Sequence, residues 1–451
     1  MDTKQFPWNE LDRPPRVALL LLGHRDYPNA IGLHFARQAA DCLRAASCEV
    51  LSGPEALTDA PTAGAAARAL LRDEPDGVII CPGTWLEGDT ALAAIREIEH
   101  LPFLLWGLPM CEWGGQRQST GSFVAACSLK GPLQRMGYRF RTVIGLPEDD
   151  TTLARLTGFA RAAGAVQQLK RTRLGLMGYV AMAIYAGTFD HVLLRRTVGP
   201  EVVHLDTSSL IHEIADVAEP AARAWLAPLA TAQTETTPER LLLAGRMTEA
   251  LARLARRHHL HGLNVKCQYE LSQDYGMTPC LPLALLADAG LNASCEGDMM
   301  VHVTQTMLRA LTGQVVPYAD LLDLQGNSGL FSACGFAPLS LKHASDPCRI
   351  CEFDHPGFSG LVCSITLKRG PVTFAQLAEG QGTYRLLYGT GAGVDTELRG
   401  GRFPALQVAL DCPADDLLRE LTGQHFALCY GDVTEELGML CEMLGVEAMR
   451  L

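Results

Sequence analysis

Strand-like and helical patterns alternate from the first apolar run onward. "RVALLLLG" (16–23) is continuously apolar, "NAIGLHFARQAADCLRAA" (29–46) spaces its apolar residues for one helical face, and "GVIICPG" (77–83) with "ALAAIREIEHLPFLLWG" (91–107) renews the order. Strands that are apolar on both faces need cover on both faces, and crossover helices over a parallel sheet provide it. The pattern restarts at "RLGLMGYVAMA" (173–183). After about 325 the texture changes to short β-rich pieces divided by glycines, as in "GFSGLVCSITLKRGPVTF", "GTYRLLYGTGAG" and "LRGGRFPALQVAL". The expected fold class is α/β. Two Rossmann-like parallel-sheet domains, residues 1–170 and 171–325, precede a β-rich antiparallel C-terminal domain, residues 326–451. A chain of 451 residues is long enough for such a division, because single cores stop growing well below that size.

Composition narrows the function classes. With 48% hydrophobic and 20% charged residues the chain has the balance of a globular enzyme. A net charge of −12 and the lack of a basic stripe argue against a nucleic-acid partner. The apolar run at 17–22 is far shorter than the roughly 18 residues that cross a bilayer. "MDTKQFPWNELDRPPR" lacks the basic-then-apolar order of a secretory signal, so a cytoplasmic location is expected. The 15 cysteines, mostly in apolar surroundings, then read as reduced core residues. Cys348 and Cys351, flanked by His343 and His355, have the residue types of a zinc site but not a standard spacing; a turn with incidental cysteines is preferred.

One segment concentrates chemistry. In "ASCEGDMMVHVTQTMLRALTGQVVPYADLLD" (293–323) the apolar residues at 299, 303, 307, 310 and 311 predict a helix over 299–312, with Asp298 as N-cap and Gly313 as stop. Short strands on either side make the segment read as β-α-β, with parallel strands that bring Glu296 and Asp320 to one carboxyl edge. Carboxylates so placed repel unless one is protonated or a cation lies between them. The competing reading makes Glu296 a helix-dipole partner and Asp320 a turn residue, and Pro317 complicates the second strand. Elsewhere, Thr237-Pro238 predicts a helix start, and "RRHHLHG" (256–262) a helix end carrying histidines that suit its partial negative charge.

The segments "NVKCQYEL", "CEGDMMVHVTQTMLRALTG", "YADLLDL", "ACGFAPLSL" and "GQHFALCYGD", in this order between 264 and 432, resemble the L-fucose isomerase and L-arabinose isomerase group of metal-dependent aldose–ketose isomerases. The resemblance implies that Glu296, Asp320 and His425 hold one Mn²⁺ or a similar divalent cation. It also assigns Glu296 and Asp320 jointly to proton transfer between C1 and C2 through an enediol. The implied substrate is a free sugar such as L-fucose, D-arabinose or L-arabinose, and the implied assembly a homohexamer. Arg25 in "LGHRDYPN" resembles a substrate-contacting arginine, with a solvated loop residue as the alternative. Trp85 in "PGTWLEGD" could stack on a sugar or serve the core. Glu270 lies in a family-like motif without an assigned role, and Ala333 stands where many relatives carry His. Rival functions are a non-catalytic sugar-binding or regulatory protein with two α/β lobes, and another metal-dependent sugar enzyme such as an aldolase or epimerase.

Overall fold

The computed structural model describes every residue except 1–5, 7–10, 12, 54, 354–356 and 381. The chain forms two compact units: Arg13–Gln167 with Glu435–Gly445, and chiefly Gln168–Thr434 with Val446–Leu451. Residues 171–325 and 326–434 thus fall in one unit, and 435–445 in the other.

In the first unit the strands Arg16–Leu22 (β1), Glu49–Ser52 (β2), Gly77–Pro82 (β3), Phe103–Gly107 (β4) and Phe140–Ile144 (β5) form a parallel sheet in the order β2-β1-β3-β4-β5. β3 and β4 are buried at every position, as their uninterrupted apolar sequences require. Chain order reverses between β1 and β3, so the loops after these two strands flank the topological switch point. Arg25 and Trp85 lie in those loops, which are tied together by the His24 amide donating to Thr84 Oγ1 at 3.0 Å.

The second unit holds two larger sheets and a small three-stranded one made by Gln233–Glu235, Arg349–Glu352 and Leu361–Ser364. Arg173–Met177 (β6), Glu201–Leu205 (β7), Gly262–Val265 (β8) and Asn292–Cys295 (β9) are parallel, in the order β9-β8-β6-β7. The helix Pro238–Arg257 (α1) starts as expected, with the Thr237 side chain accepting from the Arg240 amide. The helix Met299–Thr312 (α2) also falls where its pattern puts it. Asp298 accepts from the Val301 amide at its start, and Gly313, at φ 67°, ends it.

After α2 the chain departs from the expected parallel crossover. Tyr318–Gln325 (β10) does not pair with β9, and no parallel β-α-β unit forms. It turns back through Gly326 and Asn327 into Ser328–Ser332 (β11) as an antiparallel hairpin. These strands join Gly370–Glu379 (β12), Tyr384–Gly393 (β13), Ala405–Leu410 (β14) and His425–Tyr430 (β15) in the order β12-β15-β10-β11-β14-β13, and β12 also pairs β13. Six antiparallel strands therefore close on themselves, and Glu447–Arg450 (β16) adds to β13 in parallel. Closure removes sheet edges and gives each strand an inner and an outer face. Phe331, Phe374 and Phe426, each at most 1% exposed with ring centroids 5.8–6.0 Å apart, pack together on the inner face. The neighbouring residues in sequence, Ser332 and His425, therefore face outward.

Cys351 is buried on the strand Arg349–Glu352, and burial raises its thiol pKa, as for an ordinary core cysteine. His343 meets Ser345 and Asp346 instead, and His355 of the zinc reading lies outside the described residues.

Candidate active site

The outward faces of β10 and β15 bring two chemical groups side by side. Asp320 and His425 are direct cross-strand partners, and Asp320 Oδ1 lies 3.2 Å from His425 Nε2. Directly opposed residues of an antiparallel pair project to the same face, so register alone makes this contact. Asp320 is the third residue of its strand, not its end.

Glu296 comes from the other sheet. It stands after β9 at a turn where Glu296 and Gly297 take φ of 65° and 70°, and its Oε2 lies 3.4 Å from the same His425 Nε2. A left-handed conformation is unfavourable for Glu and persists only where its surroundings impose it. Asn264 at 0% exposure does so: its Oδ1 accepts from the Gly297 amide at 2.8 Å and its Nδ2 donates to the Asp298 carbonyl at 2.7 Å. The Glu296 carbonyl in turn accepts from the Ala181 amide at 2.7 Å, and a Cβ on residue 297 would stand 2.2 Å from the Tyr179 carbonyl oxygen. Only glycine fits there.

Asp298 has two roles where its sequence position suggests one. Its Oδ1 caps α2, while Oδ2 lies 2.7 Å from His425 Nδ1. A carboxylate on Nδ1 fixes the ring and leaves Nε2 aimed at Glu296 and Asp320, the arrangement that orients a histidine toward a metal or a proton. Tyr318 packs edge-on against the ring at 5.4 Å, and Cys334 Sγ lies 3.7 Å from Glu296 Oε1. Glu296, Asp298 and His425 are at most 6% exposed, whereas the Asp320 side chain retains 20%. The cluster therefore opens on the Asp320 side.

Burial disfavours a charged His425, but hydrogen bonds to Asp298, Asp320 and Glu296 outweigh it and hold the imidazole well above its ordinary pKa. The surrounding side chains thus favour the protonated imidazole. Among the described residues no group of three His, Cys, Asp or Glu side chains already surrounds a cation position. The donor set nevertheless fits one: two carboxylates and an imidazole, with the second ring nitrogen engaged, make a mostly oxygen site suited to Mn²⁺-like ions once the Nε2 proton leaves.

The structure places Glu296 and Asp320 together by a different route from the parallel strands expected, with His425, which only the resemblance suggested, between them. Arg25, exposed, and Trp85, half-buried with its amide on the Thr120 carbonyl, belong to the first unit. Asn264 and the second oxygen of Asp298 escape the sequence analysis, although both lie in motifs singled out there. Glu270 pairs with Lys266 at 2.9 Å.

The chain is an isomerase, and its relatives are sugar isomerases. Sulfoquinovose isomerase from Priestia aryabhattai is 23% identical over 444 residues, spanning 96% of this chain and 98% of that protein. Proteins of the same name from Alkalicoccus urumqiensis (24%, 80% and 83%) and Clostridium sp. strain MSTE9 (26%, 78% and 81%) are similar too. The likeness is thus to sugar isomerases in general, not to L-fucose or L-arabinose isomerases in particular. No family model matches the chain. Among solved structures, a Burkholderia multivorans solute-binding protein reaches a TM-score of 0.20 at 10% identity, over 67% of this chain and 94% of that one. A Legionella pneumophila periplasmic sugar-binding protein reaches 0.16 at 13% identity, over 66% and 96%. Likeness this weak carries no argument. No helix among the described residues is long and apolar enough to cross a membrane.

Proposed function

We propose that the protein interconverts an unphosphorylated aldose and its ketose by moving a proton between C1 and C2, with Glu296 and Asp320 as the proton-handling pair. The observation that supports this most is the convergence of both carboxylates on one imidazole nitrogen, with the opposite nitrogen held by Asp298. A divalent cation of the Mn²⁺ type, held by Glu296, Asp320 and His425, would stabilise negative charge on two adjacent substrate oxygens. One carboxylate takes the C2 proton and returns it to C1; the other accepts the hydroxyl proton of one carbon and delivers it to the oxygen of the next. Asp298 keeps the ring of His425 in place throughout. The burial of Glu296 and His425 keeps bulk water from exchanging with the proton in transit.

The relatives' name directs the choice of sugar toward sulfoquinovose, a hexose with a sulfonate on C6, ahead of L-fucose, D-arabinose or L-arabinose. The test is a panel of these four sugars incubated with Mn²⁺-loaded protein, with ketose formation followed by NMR. Conversion of at least one aldose, abolished by E296Q and by D320N, is expected. Loss of about 10²–10⁴-fold in either variant fits removal of a general acid–base group. Turnover by E296Q or D320N at the wild-type rate refutes the assignment.

A further inference from the structure

The cross-strand row that contains the candidate site continues beyond it. His425 faces Asp320, Asp320 faces Ser332, and Ser332 faces Ala405, all on the outer face of β15-β10-β11-β14. Ser332, itself buried, therefore stands about 4.8 Å from Asp320 along the hydrogen-bonding direction. Its hydroxyl donates to the Pro404 carbonyl at 2.6 Å and accepts from Arg399 Nε at 3.0 Å.

Arg399 is half-buried and held from three directions. Nε is on Ser332, Nη2 reaches the Ala333 carbonyl at 3.4 Å, and the guanidinium carbon lies 4.2 Å from the ring centroid of Phe403. That stack is built by the backbone. Arg399 and Phe403 exchange both amide–carbonyl bonds, at 3.1 and 3.0 Å, across a turn in which Gly400 and Gly401 take φ of 57° and 70°. None of these partners carries a negative charge, and among the described residues no carboxylate forms an ion pair with Arg399. In a chain of net charge −12, an arginine immobilised and left without a counter-charge is conspicuous. Guanidinium donors fork onto tetrahedral oxyanions, and a stacked, pre-oriented one binds with less ordering.

We infer that Arg399 is the anion-binding and specificity-determining residue for the sulfonate of a C6-sulfonated aldose. The inference rests on the aldose–ketose reading of the Glu296–Asp320 site and names the substrate class of that site. An anionic sugar approaching Glu296, Asp298 and Asp320 meets repulsion, and a fixed cation one strand beyond Asp320 offsets it while setting which end of the sugar enters first. A monoanionic sulfonate suffers less of that repulsion than a dianionic phosphate.

The experiment is calorimetric binding of sulfoquinovose, glucose 6-phosphate and neutral quinovose to Mn²⁺-loaded wild type and R399M, beside turnover of the same sugars by NMR. Wild type is expected to bind sulfoquinovose about 30-fold or more tighter than quinovose, and tighter than glucose 6-phosphate. R399M should erase the preference over quinovose while leaving quinovose binding and Mn²⁺ retention unchanged. R399K, which keeps the charge but not the fork, should recover only part of it. If R399M fails to fold, R399K and F403L decide, each weakening sulfoquinovose binding alone. A wild type that binds sulfoquinovose no better than quinovose, an R399M that still prefers it, or a preference for the phosphate overturns the inference. Discrimination through Arg399 without conversion of any sugar would instead overturn the isomerisation reading and leave Arg399 standing. Conversion of quinovose with no discrimination would do the reverse.

Discussion

Asp298 shows how much one side chain can carry when its two oxygens serve different partners. Oδ1 satisfies an amide left open at the start of α2, and Oδ2 holds His425 Nδ1. Replacing it with Ala removes both contacts; replacing it with Asn keeps an acceptor for the cap but loses the charge that favours the His425 ring in its present state. Titration with Mn²⁺ should therefore show affinity reduced about 10–100-fold in both D298A and D298N. Only D298A should also lose about 1 kcal/mol of stability to the missing cap. Equal destabilisation by both variants would mean that the cap and the ring contact are not separable functions of the two oxygens.

At the scale of elements, α2 is the most legible part of the chain because its signals are local. The apolar period, the Asp298 cap and the Gly313 stop sit within one continuous stretch, and the structure matches them residue for residue. The strand after it is not legible in the same way, because sheet membership is decided by distant partners: Leu428 donates to the Pro317 carbonyl, and β15 and β11 take the two edges of β10. One local signal does favour this outcome, since Gly326-Asn327 between two β-prone runs is hairpin chemistry, and it outweighs a presumed crossover. The trio is legible only through motif resemblance, and Asn264 not at all, because a buried amide bridging a strained turn leaves no period or spacing in the sequence. α2 also contains a titration that the site does not need. Burial pushes His302 down to about 4, opposed by its bond to the Asn292 carbonyl and by the charge of Asp298. The unfolded chain binds this proton near the ordinary value of about 6.5. Stability from His302 is therefore full above that pH, falls as pH drops toward about 4, and is flat below. Between pH 7.5 and 4.5 wild type should lose about 2–3 kcal/mol more than H302Q in denaturant unfolding. Parallel pH profiles for the two proteins would mean that His302 is charged in the folded state.

At the scale of the whole molecule, the second unit depends on two different fillings: an aromatic core inside the closed strands and a set of like charges outside them. The core is the sturdier. Phe426 is fully buried against Phe331 and Phe374, and F426A should cost about 3–5 kcal/mol in urea unfolding, with the register of His425 failing along with it. A proton on His425 offsets part of the repulsion among Glu296, Asp298 and Asp320, so a cation there competes with a proton. Without metal, the stabilisation from His425 is complete below about pH 6.5 and fades as pH climbs through its raised folded value. With metal, the imidazole must be neutral, so binding releases a proton and tightens as pH rises. Mn²⁺ at about 100 times its dissociation constant should add about 2.7 kcal/mol to the unit that contains the trio. At one fixed Mn²⁺ concentration the gain should be larger at pH 8.5 than at pH 6.5. Hydrogen exchange should localise the added protection to the segments around Glu296, Asp320 and His425, and E296Q should abolish it. A gain that is the same at both pH values, or that survives in E296Q, would place the cation elsewhere in the protein.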